Sequence, residues 1–135
     1  MKIDVFSHIL PKKYLDSLKK KTKSLDAFRE IKNLAVTDIE LRLKVMDRYP
    51  DVMQVLTLAQ PCLETLVTAN DAIELSRIAN DGLADLLHRY PDRFIGAAAC
   101  LPLNDIDASL EEADRAITQL GLRGSRYSLQ LMKNL

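Results

Sequence analysis

Few residues of this 135-residue chain have side chains and positions suited to catalysis or metal binding. His8 is the strongest candidate, because it lies at the carboxyl end of the first predicted strand, where parallel α/β folds place their active sites. The alternative is a histidine whose ring is only hydrogen-bonded in the following loop. The second histidine, His88, falls in a long predicted helix beside Arg89, and we expect it at the surface.

Two cysteines and one arginine are weaker candidates. Cys62 and Cys100 follow the second and third predicted strands, but their spacing matches neither CxxC nor a zinc ribbon. No histidine lies close enough in sequence to activate either thiol, so we expect packed or idle cysteines. Arg29 lies in the long connection after the first helix, where a guanidinium could hold a substrate carboxylate through two hydrogen bonds.

The elements that must position these residues alternate between apolar segments and amphipathic helices. In the first segment, Ile3 and Val5 are expected to face one way, and Asp4, Phe6 and His8 the other. Strands are predicted at about 2–8, 52–58, 94–100 and 122–127. Helices are predicted over 11–18, from a capping box at Thr37 and Glu40 to the Tyr49-Pro50 stop, over 70–90, and from Asp105 or Asp107 to Gly121. Residues 19–36 are predicted as a long irregular connection with one helical turn at 27–31.

This alternation predicts a parallel sheet with right-handed crossovers in a single α/β domain of residues 1–135. Two architectures fit the pattern: an open doubly wound sheet, or part of a (β/α)8 barrel. Neither GxGxxG after a strand nor GxxxxGK[ST] occurs in the sequence, so the nucleotide-binding folds lose their main support.

Composition excludes several classes of partner. The 19 basic and 19 acidic residues cancel, which gives no general attraction to nucleic acid or an anionic membrane. No apolar run approaches the roughly 20 residues of a membrane span, and Asp4 and His8 interrupt any signal-peptide core. We therefore expect a cytoplasmic protein with reduced thiols. A local cluster of lysines at residues 12–23 is expected to be a solvated helix end.

The segment from Ile3 to Pro11, IDVFSHILP, resembles the opening of the metal-dependent amidohydrolases of the aminocarboxymuconate-semialdehyde decarboxylase type. In that family the first strand ends in His-x-His, then an apolar residue or two and Pro. Residues two apart on a strand point the same way, so the motif aims two imidazoles at one metal ion. Arg42 to Pro61 and Asn80 to Gly124 extend the resemblance, in the family's order, along nearly the whole chain.

The resemblance implies about half of a TIM-type (β/α)8 barrel. Family members use a divalent metal, often zinc, and decarboxylate, hydrolyse or hydrate small carboxylated substrates. His8 matches the second histidine of the motif and is the implied metal ligand, whereas Phe6 stands at the first position and cannot ligate metal. A substrate-binding arginine is implied near Arg29. The family's other ligands and its catalytic Asp come from later strands, so no catalytic residue is assigned here.

Two main hypotheses follow. In the first, the chain is the truncated front part of a hydrolase or decarboxylase, and activity on its small-molecule substrate needs the remaining strands or another copy. In the second, it is a catalytically inactive fragment that folds by self-association. An open-sheet binding domain is a third possibility. Sheet edges without partners favour a homo-oligomer in which two copies close an eight-stranded barrel. The polar stretch at 125–128 is what a truncated or frame-shifted reading would give.

Overall fold

Four strands form one sheet in the order β1-β2-β3-β4. All of them are parallel, as the alternation of segments predicts. The computed structural model describes residues 1–22, 33–59 and 63–125. The fourth strand begins at Gly124 and not at the predicted 122, and the Leu122 side chain just before it is buried in the core. The strands are β1 (Lys2–Ile9), β2 (Val52–Leu58), β3 (Phe94–Ala99) and β4 (Gly124–Ser125).

The described helices follow the predicted order with shifted ends. The first helix extends to Lys21, three residues past the prediction, and its last turn is basic, which suits a helix C-terminus. A short helix after β2 was not predicted, and the predicted turn at 27–31 lies outside the described residues. The helices are α1 (Lys12–Lys21), a 3-10 helix (Leu34–Val36), α2 (Ile39–Met46), α3 (Leu63–Leu66), α4 (Ala69–Arg89) and α5 (Ile106–Thr118).

Side-chain caps fix where the longer helices start. Asp38, and not the predicted Thr37, caps α2 by accepting a hydrogen bond from the Leu41 amide at 3.0 Å. Thr37 is engaged in the preceding turn, where its hydroxyl donates to the Leu34 carbonyl. For α5 the two predicted caps are resolved in favour of Asp105. Gly121, with φ of 69°, follows α5 as predicted.

The helices cover one face of the sheet, and two apolar clusters lie between them. In the first cluster, Leu56 of β2 and Leu83 of α4 are completely buried. The second cluster joins α1 to α4 near the carboxyl ends of the strands, with Tyr14 and Leu75 at its centre. Because hydrophobic burial is the dominant favourable term in folding, these clusters fix the helices against the strands that carry the candidate site.

A close contact between Pro11 and Gly82 fixes the chain just after β1. A Cβ atom added to Gly82 would lie 2.7 Å from the Cβ of Pro11. Only a glycine lets α4 approach this closely, and the proline ring is rigid. The segment that leaves β1 after His8 is therefore held against α4.

An extra residue in β1 changes which side chains share a face. Asp4 pairs with Gln54, and Ser7 pairs with Leu56, so three steps in β1 match two in β2. Because β2 is regular, Asp4 lies on the helix-covered face with Ser7. The prediction that Asp4 shares a face with His8 is therefore wrong. By the same shift, Ile3 and His8 share the opposite face, which is also contrary to the prediction.

The lysine-rich segment is only partly solvated. Lys21 donates to Asp71 at 2.6 Å and lies 2.9 Å from Glu74, and these two hydrogen bonds raise its pKa. The expectation of a freely solvated helix end therefore fails at this residue.

None of the helices in the described ranges is long and apolar enough to cross a membrane.

Candidate functional site

The carboxyl end of β1 places His8 on the face of the sheet opposite the helices, which we call the site face. His8 is half-buried and pairs in register with Thr57 of β2. Its Nδ1 atom lies 2.8 Å from the Thr57 hydroxyl oxygen, and Thr57 is buried. The bond across the two strands fixes the plane of the imidazole ring.

Phe6 forms the other half of an aromatic pair on the site face. The centroids of the Phe6 and His8 rings are 4.5 Å apart, and the ring planes make an angle of 64°. This edge-to-face arrangement is favourable for aromatic pairs. Phe6 nevertheless leaves 58% of its surface exposed, so it presents an apolar ring beside the imidazole.

A buried arginine fixes the backbone of His8 from the helix-covered side. Arg42 of α2 donates through Nη2 to the His8 carbonyl, through Nε to the Ala35 carbonyl at 3.0 Å, and through Nη1 to Gln54 Oε1 at 2.8 Å. Burial lowers the pKa of Arg42, and the negative charge of Asp4 acts in the opposite direction. The planar guanidinium thus links β1, β2 and the 3-10 helix through its hydrogen bonds.

Asp4 stabilises the irregular part of β1. One carboxylate oxygen accepts a hydrogen bond from the Ser7 hydroxyl at 2.5 Å, and the other accepts one from the Phe6 amide at 3.1 Å. The Ser7 hydrogen bond is the main reason that the pKa of Asp4 lies below its usual value. Asp4 therefore acts on the strand that carries His8 and not on the site face.

The end of β3 is held by a buried amide. Asn80 of α4 accepts from the Cys100 amide at 2.8 Å and donates to the Cys100 carbonyl at 2.9 Å. Asn80 also donates to Glu112 of α5 at 2.7 Å. Asn80 reaches the end of β3 because α4 runs antiparallel to the strands and passes Cys100 near its middle.

The Glu112 carboxylate is buried and is neutralised by Arg115. Two nitrogens of Arg115 reach the two oxygens of Glu112 at 2.8 Å each, and a third lies 2.8 Å from Asp81. These hydrogen bonds raise the pKa of Arg115, and the Glu112 bond contributes most. The network joins α4 to α5 and so holds the β3 end at the same edge of the sheet as His8.

The structure brings together only part of the predicted set. Arg29 and Cys62 lie outside the described residues. His88 is exposed on α4, as expected. Cys100 is half-buried directly after β3. A groove of about 810 Å³ lies between α1 and α4, but Phe6, His8 and Thr57 are not among its lining residues.

Sequence reasoning missed two residues that position His8. Thr57 is one of two polar residues in the otherwise apolar β2, and an isolated polar residue near the carboxyl end of a buried strand was the available signal. Arg42 gave no such signal, because an arginine on a short helix reads as a surface residue. Only the packing of α2 against the two strands reveals it.

The described residues do not fit a complete metal site. Among them no group of three or more His, Cys, Asp or Glu side chains could hold a metal ion. His8 supplies one imidazole, and the neighbouring Phe6 has no donor atom. A catalytic zinc usually takes three protein ligands, so His8 alone falls short.

Comparisons with known proteins agree with this fold and strand order, although no family model matches the chain. The chain is 37% identical over 100 residues to a gamma-resorcylate decarboxylase of Rhizobium radiobacter, which covers 74% of this chain and 30% of the relative. It is 32% identical to a 2-amino-3-carboxymuconate-6-semialdehyde decarboxylase of Dictyostelium discoideum, covering 92% of this chain and 39% of the relative.

Solved structures give the same result. A crystal structure of 2,6-dihydroxybenzoate decarboxylase with bound 2,6-dihydroxybenzoate is 35% identical with a TM-score of 0.70, covering 92% of this chain and 38% of the other. A dihydroxybenzoic acid decarboxylase of Polaromonas sp. JS666, with bound manganese and 2-nitroresorcinol, is 28% identical with a TM-score of 0.70, covering 92% and 37%.

The chain is thus a homologue of the amidohydrolase-type decarboxylases and corresponds to the N-terminal part of their barrel. It spans 30% of the length of the Rhizobium relative and 39% of the Dictyostelium relative. The resemblance expected from the sequence is confirmed, and so is the partial parallel barrel.

Proposed function

We propose that this chain forms the N-terminal part of a decarboxylase that removes carbon dioxide from a small carboxylated aromatic molecule. The single observation that carries the proposal is the similarity to the decarboxylases described above, which extends over 74% of the chain in one relative and 92% in another. The strand order brings His8 to the carboxyl edge of the sheet, where parallel barrels bind their substrates.

Decarboxylation breaks the bond between the ring carbon and the carboxylate, and the carbon then takes a proton. A site for it needs a positive group near the carboxylate and a proton donor near the carbon. On the site face, we assign the positive group to His8, either as a protonated imidazole or, in a complete site, through a metal ion that the neutral imidazole ligates. Phe6 supplies an apolar ring on which an aromatic substrate could lie.

Two further assignments complete the proposal. We assign Arg29 to the substrate carboxylate, because a guanidinium binds a carboxylate through two parallel hydrogen bonds. In a complete site His8 would contribute one ligand to a divalent metal such as zinc, and the other ligands would come from outside the described residues.

We also propose that the protein is cytoplasmic and assembles as a homo-oligomer. β1 and β4 are the outer strands of the described sheet, and Ile3, Phe6 and Ile95 leave more than two-fifths of their surface exposed. Exposed apolar surface and strand edges are typical of surfaces that bind another chain.

The test is a direct assay with 2,6-dihydroxybenzoate as substrate. The purified chain is incubated with the acid, with and without Mn²⁺ or Zn²⁺, and the formation of resorcinol is followed by chromatography. Because another copy in the proposed homo-oligomer would supply the remaining groups of the site, we expect resorcinol above the no-protein level, lost in His8→Ala and retained in the exposed control His88→Ala. Product formation that is equal in all three proteins, or none in any of them, would count against the proposal.

A further inference from the structure

We infer that Phe6 determines the ligand class of this strand end: with a phenyl ring at position 6, the end of β1 does not by itself hold a divalent cation, and a histidine there would create a two-imidazole chelate. The inference rests on the proposed function in one respect, since it concerns the same site. It differs from that proposal in being about equilibrium binding and not about turnover.

The geometry of the aromatic pair carries the first step. Phe6 and His8 point to the same side of β1, and their ring centroids are 4.5 Å apart. Two imidazoles that share a tetrahedral ion, each with a metal–nitrogen distance of about 2.1 Å, bring their ligating nitrogens to about 3.4 Å. Rings 4.5 Å apart can meet that requirement with a small rotation about their side-chain bonds.

The bulge in β1 does not disturb this pair. It lies between Asp4 and Ser7, and the pairing with β2 is regular again at His8. The observed ring contact shows that position 6 already shares the site face with position 8. A histidine at position 6 therefore needs no change of register to reach the same ion.

Thr57 determines which atom of His8 would ligate. Its hydroxyl oxygen engages Nδ1 of His8 at 2.8 Å. An ion bound by His8 would therefore be coordinated through Nε2. A partner on the second ring nitrogen is the usual way that a metal-ligating histidine is oriented.

The Phe6–His8 pair is better suited to contact with an aromatic ring than to binding a cation. The phenyl ring has no lone pair to donate, and its edge packs against the imidazole that would otherwise be half of a chelate. A single imidazole holds a divalent cation weakly. A second imidazole on the same strand would bind the same ion intramolecularly, at a high effective concentration. As the chain stands, Phe6 therefore favours contact with an aromatic molecule over metal binding.

The experiment measures Ni²⁺ binding by isothermal titration calorimetry, since imidazole is a good ligand for nickel. The proteins are the unchanged chain, His8→Ala, Phe6→His, Phe6→Leu and the double variant Phe6→His/His8→Ala. Phe6→Leu is the matched control that removes the ring without adding a donor. Because Phe6 is 58% exposed, the changes at position 6 remove no core packing, and circular dichroism checks that each variant is folded.

We expect Phe6→His to gain about 100-fold in Ni²⁺ affinity over the unchanged chain, in line with converting a second binding event into an intramolecular one. The gain should be absent in Phe6→Leu and lost in the double variant. In NMR spectra, the imidazole nitrogens of residues 6 and 8 should respond together as Ni²⁺ is added to Phe6→His.

Three results would overturn the inference. They are strong Ni²⁺ binding by the unchanged chain that His8→Ala abolishes, no gain in Phe6→His, or a gain that persists without His8. Because the binding measurement needs no turnover, its failure and the failure of the decarboxylation assay are distinguishable.

Discussion

The Nδ1 atom of His8 and the hydroxyl oxygen of Thr57 lie 2.8 Å apart, across two strands whose residues pair in register. The two side chains face the same side of the sheet because partners in a parallel ladder project together. The ring orientation of His8 is thus set by a neighbouring strand and not by its own loop.

Replacing Thr57 with valine should release the imidazole ring. Valine keeps the shape of the side chain but leaves Nδ1 without the hydroxyl, which costs about 1 kcal/mol in the free energy of unfolding. The ¹⁵N chemical shifts of the His8 ring should move toward those of a freely averaging imidazole. Thr57→Ser is the control and should retain the native shifts, because serine keeps the oxygen. Unchanged shifts in Thr57→Val would show that the hydroxyl does not orient the ring.

Replacing Arg42 with lysine should destabilise the chain although the charge is kept. Lysine cannot reach the carbonyls of His8 and Ala35 and the Gln54 amide together, so at least one buried acceptor loses its donor. We expect a loss of about 2 kcal/mol in a urea unfolding experiment. The exposed Arg48→Lys is the control and should change stability by less than about 0.5 kcal/mol. Equal effects at both positions would contradict the role given to Arg42.

Replacing Glu112 with alanine should loosen the junction of α4 and α5. The change leaves Arg115 and the buried Asn80 amide without their common acceptor, and breaking a buried pair in this way costs about 3–5 kcal/mol. The neighbouring exposed Glu111→Ala should cost less than about 0.5 kcal/mol. Hydrogen exchange at Cys100, whose amide donates to Asn80, should rise only in the Glu112 variant. A protected Cys100 amide in that variant would argue against the network.

The lowered pKa of Asp4 predicts a pH-dependent contribution to stability. A carboxylate whose pKa is lower in the folded chain stabilises it above the unfolded pKa of about 3.9, and this contribution is lost as the pH falls through the folded value. Asp4→Asn should therefore lower the free energy of unfolding at pH 7, and the difference from the unchanged chain should shrink below about pH 4. The exposed Asp92→Asn in the turn before β3 should show a smaller difference. A difference for Asp4→Asn that is independent of pH would contradict a charge effect.

Much of the fold was predictable because hydrophobic periodicity carries it. The long α4 was placed to within one residue at each end, since its apolar stripe and Pro91 mark its limits. The parallel direction of the strands followed from the alternation of elements. Periodicity assumes a regular strand, however, and an extra residue in β1 put Asp4 and Ile3 on the opposite faces from those predicted.

The candidate site was predictable only at His8. Its position at a strand end is a sequence feature, whereas the contacts that orient it come from Thr57, 49 positions away, and from Arg42, 34 positions away. Nothing in a local window distinguishes these two residues from other polar residues on a strand and a helix. Contacts between distant segments require the fold, and the sequence pattern does not supply them.

The irregular pairing of β1 also divides the strand into two independent lengths. Up to Asp4 the odd-numbered positions belong to the site face, and from Ser7 onward the even-numbered positions do. Deleting the residue at position 5 would remove the extra residue and restore a uniform alternation, with Asp4 still opposite Gln54 and His8 still opposite Thr57. An added or deleted residue between Asp4 and Ser7 can therefore be accommodated in this irregular segment, and the imidazole of His8 keeps its face.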